Sequence, residues 1–343
     1  MKTYEQVAAS VLQRVEEHER RQERRGAALR RLGACLSVLV LVVATTALVG
    51  TGYVFAAGMG FVEDYFGLFI SRSGAQLSEA QREYLETAAA AIGESVTCGD
   101  ATVTVRSAIT DGDICYIYMD LEAPEDISLE ALNGKGLGFE EHTLRSDSTA
   151  RHPVHSSSMT FIPVEDNDGK ANTISMVLRA TVMSAQDSTF SFADGHTRTL
   201  TLQNMSAYKD TFPFNQYRLT EGTWSFRFRF SPVGDNAQQE LELLQEPVVC
   251  IGERMSGKPI GVNMYSIRLG ALGMTLRYSY DPGVLPEAVD FGQIRMVLRD
   301  GSEILAQPHG GVMGSCMYLF DAPVVISQID HIIINDITRV NVD

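Results

Sequence analysis

The spacing of apolar positions changes along this chain, and each change predicts a different element. Tyr4, Val7, Ala8, Val11, Leu12 and Val15 follow the i, i+3, i+4, i+7 pattern of one helical face, with Glu, Gln and Arg opposite. From Glu16 to Arg31 ten of 16 positions are charged, and pairs such as Glu16–Arg20 and Glu17–Arg21 support a continuing helix. Polarity then disappears: no charge occurs from Leu32 through Val62. The 23 residues Leu32–Val54 would reach roughly 34 Å as a helix, enough to cross a hydrocarbon core of about 30 Å. Their Ser and Thr hydroxyls can bond back to the helix carbonyls. Aromatic residues follow (Phe61, Tyr65, Phe66, Phe69), with Glu63 and Asp64 among them, a composition suited to a membrane interface or to a short helix beneath a domain. Ser78 with Gln81 makes a capping box, Leu77, Tyr84, Leu85, Ala88, Ala91 and Ile92 form a helical stripe, and Gly93 is the expected stop.

From Ser95 the period becomes two. Strands are expected at Ala101–Val105, Ile114–Leu121, Ser158–Val164, Thr173–Val182, Thr189–Phe192, Thr197–Leu202 and Trp224–Phe230. Turns are expected at Asp111-Gly112, Asp168-Gly169, Asp194-Gly195 and Glu221-Gly222. Cys115, Ile117, Met119 and Leu121 share one face of their strand. The polar stretch 132–157 reads as a loop or crossover, and the acidic stretch 235–246 as a linker. Alternation resumes at Val248–Ile251, Ile260–Leu269, Met274–Tyr280, Ile294–Arg299, Met317–Phe320 and Ile329–Asn335, with Asp300-Gly301 as a hairpin signal. The fold class is therefore mainly β: an N-terminal cytoplasmic helix (1–31), one transmembrane helix (32–57), a membrane-proximal helical stalk (58–94), and two extracellular antiparallel β-sandwich domains (95–232 and 245–343), the second immunoglobulin-like but without a Cys…Trp…Cys signature.

Charge sets the orientation. Residues 1–31 hold eight Lys/Arg against five Glu, a net of +3, while the remainder holds 20 against 38 acidic residues, a net of −18. Basic residues beside a span stay cytoplasmic, so the N-terminus is expected inside and everything beyond about residue 58 outside, in a cell-membrane protein that spans the bilayer once. An acidic exterior argues against nucleic acid as a partner. A signal peptide cleaved after Val54-Phe55-Ala56 is the competing reading, but the leader is long and the apolar run exceeds a usual signal core. Leu32-Gly33-Ala34-Cys35 resembles a lipobox, yet the apolar run continues past the cysteine. Outside the span lie Cys98, Cys115, Cys250 and Cys316. Extracellular placement invites disulfides, but the Asp111-Gly112 turn sets Cys115 opposite about residue 105, away from Cys98, and favours free buried thiols. For Cys250 and Cys316 sequence separation leaves both alternatives open.

Candidate chemistry is sparse. His152-x-x-His155 offers two metal donors without a third nearby. Asp166-Asn-Asp-Gly169 has part of a calcium loop but Ser175 where an acidic ligand is needed. His309-Gly-Gly311 resembles an esterase oxyanion loop without a nucleophile elbow. Trp224, the single Trp, reads as core or strand edge among Phe226, Phe228 and Phe230. No catalytic residue, cofactor or metal site is assigned. The lone amphipathic tail has no core of its own, so Tyr4, Val7, Val11, Leu12 and Val15 are the candidate partner-binding residues, the inner leaflet being the alternative dock.

Several segments resemble domain-of-unknown-function family 4179. They are Phe66-Gly67, Gly93-x-Ser95-Val-Thr, Ala101-Thr-Val-Thr-Val105, Asp111-Gly-Asp-Ile-Cys-Tyr-Ile-Tyr118, Leu121-Glu-Ala-Pro124 and Gly222-Thr-Trp-Ser-Phe-Arg-Phe. Val297-Leu-Arg-Asp-Gly-Ser-Glu-Ile304 and Phe320-Asp-Ala-Pro323 resemble the immunoglobulin-like domain that often follows. The resemblance implies a bacterial membrane regulator of anti-sigma-factor type, with an extracytoplasmic sensing region, an unknown extracellular ligand and a cytoplasmic sigma factor as partner of residues 4–31. The rival expectation is an envelope structural or adhesive protein that binds wall polymer or protein through its sandwiches. Membrane fractions are expected to yield a chain that keeps residues 1–31; N-terminal sequencing of a form released into the medium and beginning near Ala57 would overturn the anchored reading.

Overall fold

The computed structural model describes residues 68–69 and 76–342, apart from short stretches at 133–135, 149–153, 165–168, 185–190, 209–215, 231–237, 244–246, 251–259, 281–290 and 313. The expected tail helix and span, with Tyr4, Val7, Val11, Leu12 and Val15, lie outside the described residues, as does His152. Among the described residues no helix is long and apolar enough to cross a membrane.

The structure is mainly β, and its sheets are antiparallel. A first module comprises β1 (Ala90–Cys98), β2 (Ala101–Thr110), β3 (Ile114–Glu122), β4 (Gly138–Ser146), β5 (Val154–Val164), β6 (Thr173–Ser184), β7 (Arg198–Tyr208) and β8 (Gln216–Phe228). A five-stranded sheet, β1-β2-β3-β6-β5, faces a three-stranded sheet, β4-β7-β8. Between them lies a core of inward-facing residues including Val103, Ile117, Leu178, Leu202, Trp224 and Phe226. Trp224 is fully buried, donates its indole N–H to the Ala101 carbonyl at 3.3 Å, and packs edge-on to Phe139 at 5.7 Å.

The second module comprises β9 (Gln238–Glu242), β10 (Pro247–Cys250), β11 (Ile260–Gly270), β12 (Gly273–Tyr280), β13 (Ile294–Leu298), β14 (Glu303–Val312), β15 (Ser315–Phe320), β16 (Ile329–Ile334) and β17 (Thr338–Asn341). Hydrogen bonding runs unbroken through one nine-stranded sheet, β10-β11-β12-β15-β14-β13-β16-β17, with β9 and β10 laid end to end along the same edge of β11. Residues from six of these strands, β11 to β16, enclose one core, with Phe291, Leu276, Met296, Phe320 and Ile332 at its centre.

The helix α1 (Glu79–Ala88) precedes the sheets. Ser78 and Gln81 form both bonds of the capping box, Ser78 Oγ accepting from the Gln81 amide at 3.3 Å and Gln81 Oε1 accepting from the Ser78 amide at 2.8 Å. The helix ends at Ala88 rather than at Gly93, so the C-terminal end of the range read as a stalk (58–94) belongs to β1. Gly93 instead occupies a bulge: its φ of +65° coincides with the register shift between Ala91 and Glu94.

Other departures have equally local causes. The polar stretch read as a loop contains β4, whose outer face is Glu141, Thr143 and Arg145 while Phe139 is buried. Glu221-Gly222 does not turn: β8 runs through it with a bulge opposite Asn204, whose side-chain oxygen accepts the Gly222 amide at 3.2 Å. Phe192, expected in a strand, lies in a turn. Cys115 pairs with Thr110 and Cys98 with Ala101; Cys98, Cys115 and Cys316 are free thiols.

Trp224 is the only Trp of the chain, so its native emission is expected to be blue-shifted and to move red on unfolding. Trp224→Ala is expected to cost about 3–5 kcal/mol, read as a lower denaturant midpoint by circular dichroism.

Candidate functional site

The two modules meet, and both apolar packing and hydrogen bonds join them. Its origin is visible in β3, which is apolar on both faces. Cys115, Ile117, Met119 and Leu121 point into the sandwich, while Ile114, Tyr116 and Tyr118 point the other way and are equally buried. A strand buried on both faces needs a layer on each side. The second layer is built by Leu77, Leu85 and Ala88 at α1 and by Leu272, Met317, Leu319 and Ala322 of the second module, with Phe69 stacked edge-on to Tyr116 at 5.6 Å. β15 is its mirror: Tyr318 and Phe320 enter the core of the second module, Met317 and Leu319 the joint.

Polar groups lock this apolar seam. The turn between β2 and β3, Asp111-Gly-Asp113, is buried beneath the turn between β11 and β12. Asp111 Oδ1 accepts the Ile114 amide at 2.9 Å within its own turn, and Oδ2 accepts the Leu272 amide at 2.9 Å from the other module, 161 positions along the chain. Thr110 Oγ accepts the Gly112 amide and donates to the Ile114 carbonyl, which holds the turn in shape. Glycines provide the room: a Cβ at Gly270 would collide with the Asp111 carboxylate, and one at Gly273 with Ile114 and the Tyr318 carbonyl. Two further bonds cross the joint. Gln81 of α1 donates to the Pro323 carbonyl at 2.7 Å, and the Thr181 hydroxyl meets His309 Nε2 at 3.1 Å. His309 thus contributes a bond to the joint.

Beside Asp111 lies an ionic chain. Asp113 faces Arg268 at 3.5 Å, Arg268 donates to Glu240 at 3.0 Å, and Glu240 also takes the Ser266 hydroxyl at 2.6 Å and faces Arg277 at 3.5 Å. Burial pushes the Glu240 carboxyl up, but the Ser266 and Arg268 hydrogen bonds and the two arginine charges outweigh it and hold Glu240 below the usual range. For Asp113 burial wins over Arg268 and the net direction is upward. Asp111 is pushed up to about 7, first by burial and then by the Asp113 charge, against the amide hydrogen bonds it accepts. Burial and the Asp111 charge likewise raise Tyr84, whose hydroxyl is sealed from solvent and has no hydrogen-bond partner among the described residues.

A groove of about 900 Å³ opens beside α1, between Ser78, Glu79 and Glu83 on one wall and Arg299, Asp300 and Glu303 on the other. Among the described residues no three His, Cys, Asp or Glu side chains converge as metal ligands. The sequence showed Asp111-Gly112 only as a turn; the two-sided apolarity of Ile114–Tyr118 was the signal that a second layer covers it.

No protein-family model matches the chain, and no curated protein matches it. A solved structure described as the conserved domain protein from Bacillus anthracis is similar at 14% identity, over 72% of this chain and 76% of that one, with a TM-score of 0.47.

Gly270→Ala is expected to displace the Asp111 carboxylate and to destabilise the protein by about 1–3 kcal/mol, seen as a lower melting temperature. Gly261→Ala in the same strand, where an added Cβ meets nothing within 4 Å, is the control and should melt close to the wild type.

Proposed function

We propose that this chain is a non-enzymatic, single-pass membrane regulator of the anti-sigma-factor type, akin to domain-of-unknown-function family 4179. Residues 32–57 cross the bilayer, residues 1–31 lie in the cytoplasm, and the two β modules, the second immunoglobulin-like, form an extracellular sensing region that binds rather than reacts. Tyr4, Val7, Val11, Leu12 and Val15 present the apolar face to a sigma factor. The charge asymmetry of the sequence supports this orientation.

The observation that carries the reading is the position of α1. It lies on the N-terminal side of both modules, and it is wedged into the joint, touching the first module through Ile109 and Tyr116 and the second through the Gln81–Pro323 bond. Any rearrangement of the joint therefore reaches the segment of chain that leads back towards residue 57. A binding event on either module needs no other route to influence the tail, because each module packs directly on α1.

The full chain, purified from membranes, is expected to capture an extracytoplasmic-function sigma factor. Val11→Asp with Leu12→Asp should reduce capture at least tenfold without changing membrane insertion. Undiminished capture by that double variant, or full function after deletion of residues 1–25 with Arg30 and Arg31 retained, would favour an envelope adhesive protein instead.

A further inference from the structure

We propose that the joint is a proton-operated latch: Asp111 clamps the two modules more tightly when its carboxyl group carries a proton than when it is ionised. The argument begins with charge balance. Asp113 and Glu240 supply two negative charges, and Arg268 and Arg277, linked to them in one chain, supply two positive charges. That set is neutral without Asp111. Among the described residues no Lys, Arg or His pairs with Asp111, whose side chain is held by neutral amides alone. An ionised Asp111 is therefore an uncompensated charge in a buried seam, and burial of such a charge is costly.

The groups that face Asp111 agree. From its own turn comes Asp113, a like charge, and from β3 the Cys115 thiol, which burial keeps protonated. From α1 comes Tyr84, neutral and likewise buried, and from β11 and β12 come Arg268 and Arg277, both committed to Asp113 and Glu240 of β9. Nothing in this shell favours the carboxylate except the amide hydrogen bonds. A neutral carboxylic acid keeps a carbonyl acceptor for the Leu272 amide and loses the desolvation cost.

The sign follows from linkage. An open, hydrated joint returns Asp111 towards about 3.9, while the closed joint holds it at about 7. The closed form thus binds one proton more between those values. Its extra stability is complete below about pH 4 and is lost as pH rises through about 7, with the opening constant growing up to about tenfold per pH unit in between. Acidification tightens the latch and mild alkalinity loosens it. The meaning for signalling rests on the regulatory reading above; the latch itself does not, and its test involves no partner.

The test is hydrogen exchange of the full chain in detergent, followed by mass spectrometry at pH 5.5, 6.5 and 7.5, with exchange times scaled for intrinsic chemistry. Strand amides around Trp224 serve as the internal reference. Peptides over 110–115 and 268–276 are expected to be at least tenfold better protected at pH 5.5 than at 7.5, with the reference unchanged. Asp111→Asn should flatten this dependence, and Asp113→Asn, which removes the like charge and releases Arg268, should keep it with a lower midpoint. A wild-type joint whose protection does not change with pH overturns the proposal, as does an Asp111→Asn chain that keeps the slope. Should Asp111→Asn not fold, an Asp113→Asn midpoint equal to the wild type overturns it as well.

Discussion

A buried carboxylate reaching across 161 positions of chain to one amide is the constraint around which this molecule is arranged. For Asp111 to reach Leu272, the β2–β3 turn must enter the second module. Two positions in the β11–β12 turn must then lack side chains, and the apolar faces of β3 and β15 must close over the contact. Each condition is met by particular residues: Gly270 and Gly273 open the space, while Tyr116, Leu319 and Leu85 exclude water. Excluding water is what gives a single hydrogen bond weight, since an unmade bond to a buried group costs about 1–3 kcal/mol where an exposed one costs little.

The same exclusion explains why the joint reads as a coupling element rather than a passive hinge. Modules joined by a polar linker usually move independently. Here the seam is apolar, a helix is inserted into it, and several of its polar groups are tied to partners in a different element. Gln81, Thr181 and Asp111 each bond outwards from the first module or the helix, and Tyr84 is sealed in beside them. A seam of this type has few intermediate arrangements: loss of one bond admits water and weakens the rest.

Much of this architecture was written locally. Period-two alternation located most strands, the Ser78–Gln81 box located the helix start, and Asp300-Gly301 located a hairpin whose arms pair Val297 with Glu303. Elements whose polarity misleads were hidden. β4 shows Glu141, Thr143 and Arg145 because its outer face is wet, and β9, Gln-Gln-Glu-Leu-Glu, looks like a linker although its Glu240 serves arginines distant in sequence. Gly93 and Gly222 carry the composition of ends and turns but occur within strands: Gly93 supplies the left-handed residue of a bulge, and Gly222 leaves room for the Trp224 ring. The joint was the least legible feature. A turn reads alike whether it is solvated or buried, and only the unbroken apolarity of Ile114–Met119 distinguished the two.

The placement of β9 has a practical corollary for dissecting the molecule. A fragment begun at residue 245, the boundary that composition suggests, would keep every strand of the second module except this one. Its β11 would then present bare backbone from Ser266 to Gly270, and Arg268 and Arg277 would lose their shared carboxylate. Naked strand edges of that kind recruit copies of themselves. Such a fragment would be expected to self-associate, and the oligomers would reflect the site of the cut rather than the biology of the chain.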